Sequence, residues 1–180
     1  MSFKSLPVAA IAMCAVAAPV HAQAAAGGDH SSLSVVHSMW QMMHNWVAQS
    51  AEQMPEAKLS YRPTPEVRTF GEIVAHVAGA EKMFCAIGMG ETPPAEDAVE
   101  KSATTKAALI AALKESAAYC DKAYSQSDAA SHMPATIFGQ KQTRLHALVL
   151  NATHVGEHYG NLITYLRLNG MVPPSSQGGQ

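Results

Sequence analysis

Apolar residues recur every three or four positions along four stretches of the chain, which is the spacing of one face of an α-helix. In the first stretch, Leu33, Val36 and Trp40 begin such a series. The pattern predicts four helices, over residues 32–54, 70–88, 104–125 and 143–168. It predicts no pair of β-strands. Four helices that each carry a single apolar stripe bury those stripes against one another, so we predict an all-α fold, a four-helix bundle.

The connection before the second predicted helix contains residues that interrupt and restart a helix. Pro63 and Pro65 block helical continuation, and Thr69 and Glu72 have the spacing of a capping box. The connection over residues 89–103 is long enough to cross the bundle. We therefore expect a long crossover between helices two and three instead of a strict up-down-up-down order.

The N-terminal segment has the composition of a secretory signal peptide. Lys4 precedes an apolar run over residues 6–20, and small residues follow at Ala22 and Ala24. The run is shorter than the roughly 20 apolar residues that a transmembrane helix requires. We expect residues 1–22 to be removed, which would deliver a soluble protein to the periplasm or the medium.

The rest of the chain is predicted to form a single domain with short flanking segments. A chain of this size can bury roughly 70% of its unfolded surface in one core. The expected segments are a flexible lead-in over residues 23–31, the bundle domain over residues 32–176 and a disordered tail over residues 177–180.

Charge and cysteine content narrow the functional classes. The chain has 12 Lys and Arg against 14 Asp and Glu, and its basic residues do not cluster, which excludes a nucleic-acid partner. No run after the leader is long enough to predict a membrane span. Cys85 and Cys120 would remain after the leader is removed, and the sequence leaves open whether they form a disulfide or stay as free buried thiols.

Three histidines lie at the edges of the predicted apolar stripes. His154 and His158 are four residues apart on the fourth helix, and His76 has the equivalent position on the second. Helical bundles build metal sites from such side chains, and imidazole suits Zn, Ni, Cu and Fe(II). We therefore predict a divalent metal site formed by these three histidines. The spacing leaves open the alternative that they are packing residues.

Other polar residues of the fourth helix are candidates for a supporting role. Asn151, Asn161 and Tyr165 share the boundary face of the histidines and could orient metal ligands or substrate. Glu157 is predicted to point away from that face, which favours a surface or supporting role over catalysis. The helix also contains the H-x-x-E-H pattern of inverted zinc proteases, but no Asp or Glu follows Glu157 to supply the third ligand.

The first helix raises a second metal hypothesis. Met39, Met42, Met43 and His44 could offer soft ligands to copper. Methionine also fills gaps in hydrophobic cores, and core packing is the favoured interpretation.

Two stretches of the chain resemble the DinB/YfiT-like superfamily of metal-dependent proteins. They are YRPTPEVRTFGEIVAHVAGAEKMFC and HVGEHYGNLITYLRLNGMVPPSS, and the likeness extends over residues 33–176. The resemblance implies a four-helix bundle with an unusual crossing order and a divalent ion held by His76, His154 and His158. It also implies relatives that transfer or isomerise substrates with a low-molecular-weight thiol, which the metal activates.

These observations favour an exported metal-dependent enzyme that activates water or a thiol, of the hydrolase or thiol transferase type. The ion would be Zn, Ni or Fe, and the substrate an unidentified small molecule. The alternatives are a non-catalytic metal-binding or stress-related bundle and, more weakly, a copper-handling protein. A homodimer is compatible with the sequence.

Overall fold

The computed structural model describes residues 31–178, and its long helices follow the predicted ones within two residues at each end. The helices and strands are α1 (Ser32–Gln53), α2 (Phe70–Met89), α3 (Lys106–Tyr124), α4 (Asp128–Ser131), β1 (Pro134–Ile137), β2 (Gln140–Thr143) and α5 (Arg144–Leu168). Three short 3₁₀ turns lie at Glu56–Lys58, Glu96–Ala98 and Pro174–Ser176. The predicted helical bundle is confirmed. The predicted signal peptide, most of the lead-in and the last two residues of the tail lie outside the described residues.

Both ends of α2 are set by local chemistry. At its start, the Thr69 hydroxyl accepts a hydrogen bond from the Glu72 amide at 3.2 Å, and the Glu72 carboxylate accepts one from the Thr69 amide at 2.7 Å. The bond from the Thr69 amide is the main cause that lowers the pKa of Glu72. At its end, Gly90 adopts a left-handed conformation with φ of 77°. These caps fix the register of α2 and so the place of His76 in its second turn.

α2 and α3 run parallel to each other. Gly71 packs against Leu109 near their N-terminal ends, and Cys85 forms a disulfide with Cys120 near their C-terminal ends, with Cα atoms 5.3 Å apart. A connection between parallel neighbours must return along the bundle, so the predicted crossover is confirmed. The disulfide also decides the question that the sequence left open for these two cysteines.

The other two long helices run opposite to this pair. Lys106, the first residue of α3, donates from Nζ to the carbonyl oxygen of Met54, just after α1, at 2.9 Å. Gly88, near the end of α2, packs against Leu148, near the start of α5. The bundle therefore has an up-down-down-up order.

A buried carboxylate joins three helices in the core. Glu81 of α2 accepts hydrogen bonds from Trp40 Nε1 at 2.9 Å and from Ser116 Oγ at 2.5 Å, and it lies 2.8 Å from His44 Nδ1. The Glu81 side chain has no exposed surface. Because these buried hydrogen bonds need matched partners from three helices, this cluster fixes how α1, α2 and α3 fit together.

The prediction that the chain contains no strand pair is wrong. β1 and β2 form an antiparallel hairpin with a two-residue turn at Phe138 and Gly139, whose φ angles of 49° and 77° suit the right-handed twist of paired strands. The strands have four residues each and only Ile137 is buried. So short a segment with one inward residue gives no alternating pattern that sequence reading could detect.

Candidate metal centre

Three imidazole rings converge where α2 faces α5. His76 Nε2 lies 3.1 Å from His154 Nε2, which in turn lies 3.1 Å from His158 Nε2. His76 and His158 are buried and His154 is partly buried. The capped start of α2 and the helical spacing of His154 and His158 bring these rings together across the helix interface.

The spacing of the three nitrogens fits a small divalent ion. One ligand nitrogen from each histidine lies within 4.8 Å of the others. Two nitrogens bound tetrahedrally at about 2.0–2.1 Å from a zinc ion lie roughly 3.3 Å apart, close to the two shortest separations here. Three imidazoles are also a common donor set for catalytic zinc.

The environment keeps two of these rings neutral. Burial lowers the pKa of His154 to about 3, with further lowering by the neighbouring His158, His76 and Arg68. Burial likewise lowers the pKa of His158 to about 4. Both rings therefore carry a free lone pair at neutral pH, as metal ligands must.

Sequence reading missed two carboxylates beside the cluster. Glu100 Oε2 lies 3.3 Å from His76 Nδ1, and Glu96 Oε1 lies 3.5 Å from His76 Nε2. Arg68 holds the other oxygen of Glu100 at 2.8 Å. Both glutamates lie in the acidic connection between α2 and α3, which has no helical periodicity, so only its length and charge were visible in the sequence.

Two of the predicted supporting residues lie near the three histidines. Asn161 is close to His158, and Tyr165 lines a cleft that reaches this histidine. The amide nitrogen of Asn161 lies 3.4 Å from His158 Nδ1, and the Tyr165 hydroxyl donates to the carbonyl oxygen of Arg68 at 2.6 Å. They line a cleft of about 410 Å³ that reaches His158. The full lining is Pro63, Thr64, Glu66, Val67, Arg68, Ile73, His158, Asn161 and Tyr165. A larger depression of about 680 Å³ contains none of the three histidines.

The other two predicted supporting residues do not touch the histidine cluster. Asn151 is fully buried on another side of α5, where its amide nitrogen lies 3.4 Å from Cys85 Sγ and donates to the Tyr124 hydroxyl at 3.3 Å. Glu157 is exposed to solvent, as its angular position indicated. Asn151 therefore supports the junction of α2, α3 and α5, and Glu157 acts on His158 only through its charge, which opposes the lowering of that residue's pKa.

The comparison with known families agrees with this arrangement. The model of the DinB superfamily matches residues 38–162. The chain belongs to the DinB superfamily. None of the curated proteins matches its sequence significantly.

Solved structures share the DinB fold at low sequence identity. A DinB-like protein from Bacillus cereus matches with a TM-score of 0.67 and 16% identity, covering 78% of this chain and 95% of its own. A DinB-like protein from Bacillus subtilis matches with a TM-score of 0.55 and 21% identity, covering 81% and 99%. The mycothiol-dependent maleylpyruvate isomerase matches with a TM-score of 0.59 and 19% identity, and the match covers 72% of this chain and 60% of the isomerase.

The candidate copper ligands of α1 have different surroundings in the structure. His44 is buried against Glu81, and Met39 and Met42 are exposed on the outer face of α1. Met43 packs beside Gly156 of α5.

Among residues 31–178, no helix is both long and apolar enough to span a membrane.

Proposed function

We propose that this DinB protein binds one divalent ion through His76, His154 and His158 and uses it to activate water or a thiol against a small-molecule substrate. The observation that carries the proposal is the convergence of three imidazole nitrogens at the α2–α5 interface. Burial lowers the pKa of His154 and His158, so both rings are neutral and can donate electron pairs to a shared cation. The ion would be Zn, Ni or Fe, all of which accept imidazole.

The cleft beside His158 supports a catalytic role. It opens one side of the histidine cluster to solvent, and Asn161, Tyr165 and Arg68 offer polar groups along its wall. When bound, the ion would supply a Lewis acid that makes water or a thiol nucleophilic near neutral pH. Asn161 and Arg68 would orient the substrate in the cleft. Pro63 and Ile73 would exclude water from the apolar parts of the substrate.

A thiol is one candidate nucleophile because a structural neighbour is a mycothiol-dependent isomerase. Titrating Co²⁺-loaded protein with a low-molecular-weight thiol tests this candidate. A change in the cobalt absorption bands would support a thiol that reaches the ion. Unchanged bands would favour water.

Elemental analysis of untagged protein tests the metal site. We expect about one equivalent of metal in the wild type and a loss in His76→Ala, His154→Ala and His158→Ala. His146→Ala is the matched control, because His146 lies on the same helix but is exposed. Equal metal content in all five proteins would leave the three histidines as packing residues and refute the proposal.

The competing proposal is a non-catalytic bundle in which the metal ion only holds the helices together. A structural site is closed by protein ligands on all sides, whereas a catalytic site keeps an exchangeable position. Azide added to the Co²⁺-loaded protein distinguishes the two. Bands that shift with azide indicate an exchangeable position, and bands that do not shift indicate a closed site.

We also propose that residues 1–22 direct export and that the bundle domain spans residues 32–176. The disulfide between Cys85 and Cys120 supports an oxidising compartment. Mass spectrometry of protein from the periplasm should give a mature chain that begins at Gln23. A chain that retains Met1 in the cytoplasm would refute export.

A further inference from the structure

The connection between α2 and α3 brings two carboxylates to opposite nitrogens of one histidine. Glu100 contacts His76 at Nδ1 and Glu96 approaches it at Nε2, the nitrogen that faces the other two imidazoles. We propose that Glu100 is a positioning residue that fixes the tautomer of His76, and that Glu96 is a fourth, oxygen ligand of the ion, which keeps a fifth position open toward the cleft at His158 for water or a thiol. This inference rests on the proposed function and deepens it.

Hydrogen-bond chemistry assigns the tautomer of His76. A carboxylate only accepts hydrogen bonds, so the contact with Glu100 requires the ring proton on Nδ1. Nε2 is then left with its lone pair directed at His154. Carboxylate–histidine contacts of this kind orient metal ligands and increase their basicity.

The two glutamates differ in how their charge is balanced. Arg68 pairs with Glu100 at 2.8 Å, so that carboxylate already has a counter-charge. Within residues 31–178, no Lys or Arg pairs with Glu96, whose carboxylate lies 3.5 Å from His76 Nε2. The charge of Glu96 is therefore available to a cation placed between the imidazoles, whereas Glu100 serves orientation.

The backbone holds Glu96 at this position. The turn Glu96–Ala98 packs on α2 where Gly79 has no side chain, and a Cβ on Gly79 would overlap the carbonyl oxygen of Glu96. Val99, just after the turn, is buried. The Glu96 side chain is 39% exposed, so it retains the freedom to close on an ion.

Zn²⁺ affinity, measured by competition with a chromophoric chelator, tests both roles. We expect Glu96→Gln and Glu100→Gln each to weaken binding by about 10–100-fold, the range found for groups that support metal ligands. Asp97→Asn is the matched control, since Asp97 lies in the same turn and pairs with Lys101 at the surface. It should leave the affinity unchanged.

Two spectroscopic readings separate ligand from positioning residue. Glu96→Gln should change the visible absorption of the Co²⁺ form, because one ligand oxygen is replaced or lost. Glu100→Gln should instead shift the ¹⁵N resonances of His76 in the metal-free protein, because the tautomer balance changes. Neither measurement depends on enzymatic activity. If the two glutamates only stabilised the fold, neither the Co²⁺ absorption nor the ¹⁵N resonances of His76 would change.

The outcomes distinguish this inference from the proposed function. If His154→Ala abolishes Zn²⁺ binding while Glu96→Gln and Glu100→Gln bind like the wild type, the inference is overturned and the three-histidine site stands. If His154→Ala also binds like the wild type, the proposed function itself fails. Loss of affinity in Asp97→Asn equal to that in Glu96→Gln would overturn the ligand assignment, because general charge would then explain the effect.

Discussion

Glu81 is an ionisable residue in the interior of the bundle, and His44 provides its charged partner there. Burial lowers the pKa of His44, but the charge of Glu81, the hydrogen bond between them and the charge of Asp121 together raise it above its usual value. The folded state therefore holds the proton on His44 more tightly than the unfolded chain does.

This pair should make the stability of the fold depend on pH. Because the pKa of His44 is raised on folding, its contribution is complete below the unfolded-state value of about 6.5 and is lost as pH rises through the folded-state value. The difference in unfolding free energy between wild type and His44→Gln, measured by urea denaturation, should shrink as the pH is raised above about 6.5. Asn45→Gln, at an exposed position of the same helix without a titrating group, should show a difference that does not change. A constant difference for His44→Gln would contradict this account.

The positions of single side chains were predictable where a helical stripe defines them. His76, His154 and His158 lie at the boundary of their stripes, and the structure brings all three together. Asn151 was placed on the same face, yet it lies against the disulfide. Each residue turns 100° around a helix, so a modest error in the angle decides which neighbouring helix a boundary residue contacts.

At the scale of the elements, the crossover connection lies directly against the backbone of α2 at Gly79. The carbonyl oxygen of Glu96 occupies the space that a side chain at position 79 would fill. Glycine at this point of α2 therefore allows the connection to lie against the helix beside the histidines.

We expect Gly79→Ala to destabilise the fold. Alanine favours a helix by about 1 kcal/mol over glycine, but displacing the connection should cost about 1–3 kcal/mol. Gly160→Ala is the matched control on α5, where an added Cβ meets nothing within 4 Å, so only the helical gain applies. Urea denaturation should show a lower free energy of unfolding for Gly79→Ala and a higher one for Gly160→Ala than for the wild type. A higher free energy of unfolding for both variants would mean that the connection moves away from α2 without destabilising the fold.

The four long helices were predictable because each is longer than five turns and repeats apolar residues at helical spacing, although α2 is buried on nearly all sides and not along one stripe. The hairpin and the turn Glu96–Ala98 were not, because neither is long enough to repeat a pattern. The two glutamates beside His76 belong to such a segment. Their contacts depend on the path of the crossover, which helical periodicity does not specify.

In the whole molecule, the disulfide ties the two parallel helices near their C-terminal ends, close to where the crossover leaves α2. Cys85 and Cys120 are separated by 35 residues and are fully buried. The covalent link restricts the unfolded chain over the whole connection and most of α3.

Removing this link should lower stability by about 3–4 kcal/mol, from the loop length that it closes. The variant with both Cys85→Ala and Cys120→Ala should melt at a lower temperature than the wild type in calorimetry. Wild-type protein that is unfolded, treated with reductant and refolded should show a similar decrease in melting temperature. The same treatment should not change the melting temperature of the double variant. A reductant effect of equal size in both proteins would contradict a role for this bond.

Metal binding should stabilise the whole bundle. An ion held only by the folded state adds about 2.7 kcal/mol at a hundredfold excess over its dissociation constant. Zn²⁺ should therefore raise the melting temperature of the wild type but not that of His158→Ala, and a chelator should reverse the effect. An equal rise in both proteins would indicate binding elsewhere.

His76 and His154 are 78 positions apart in the chain, on α2 and the last long helix. A nascent chain that ends before α5 carries just one of the three imidazoles. Capture of the proposed ion by all three rings would therefore follow the synthesis of α5 and its docking against α2. Uptake of the ion would then mark the final step of maturation and distinguish finished molecules from truncated ones.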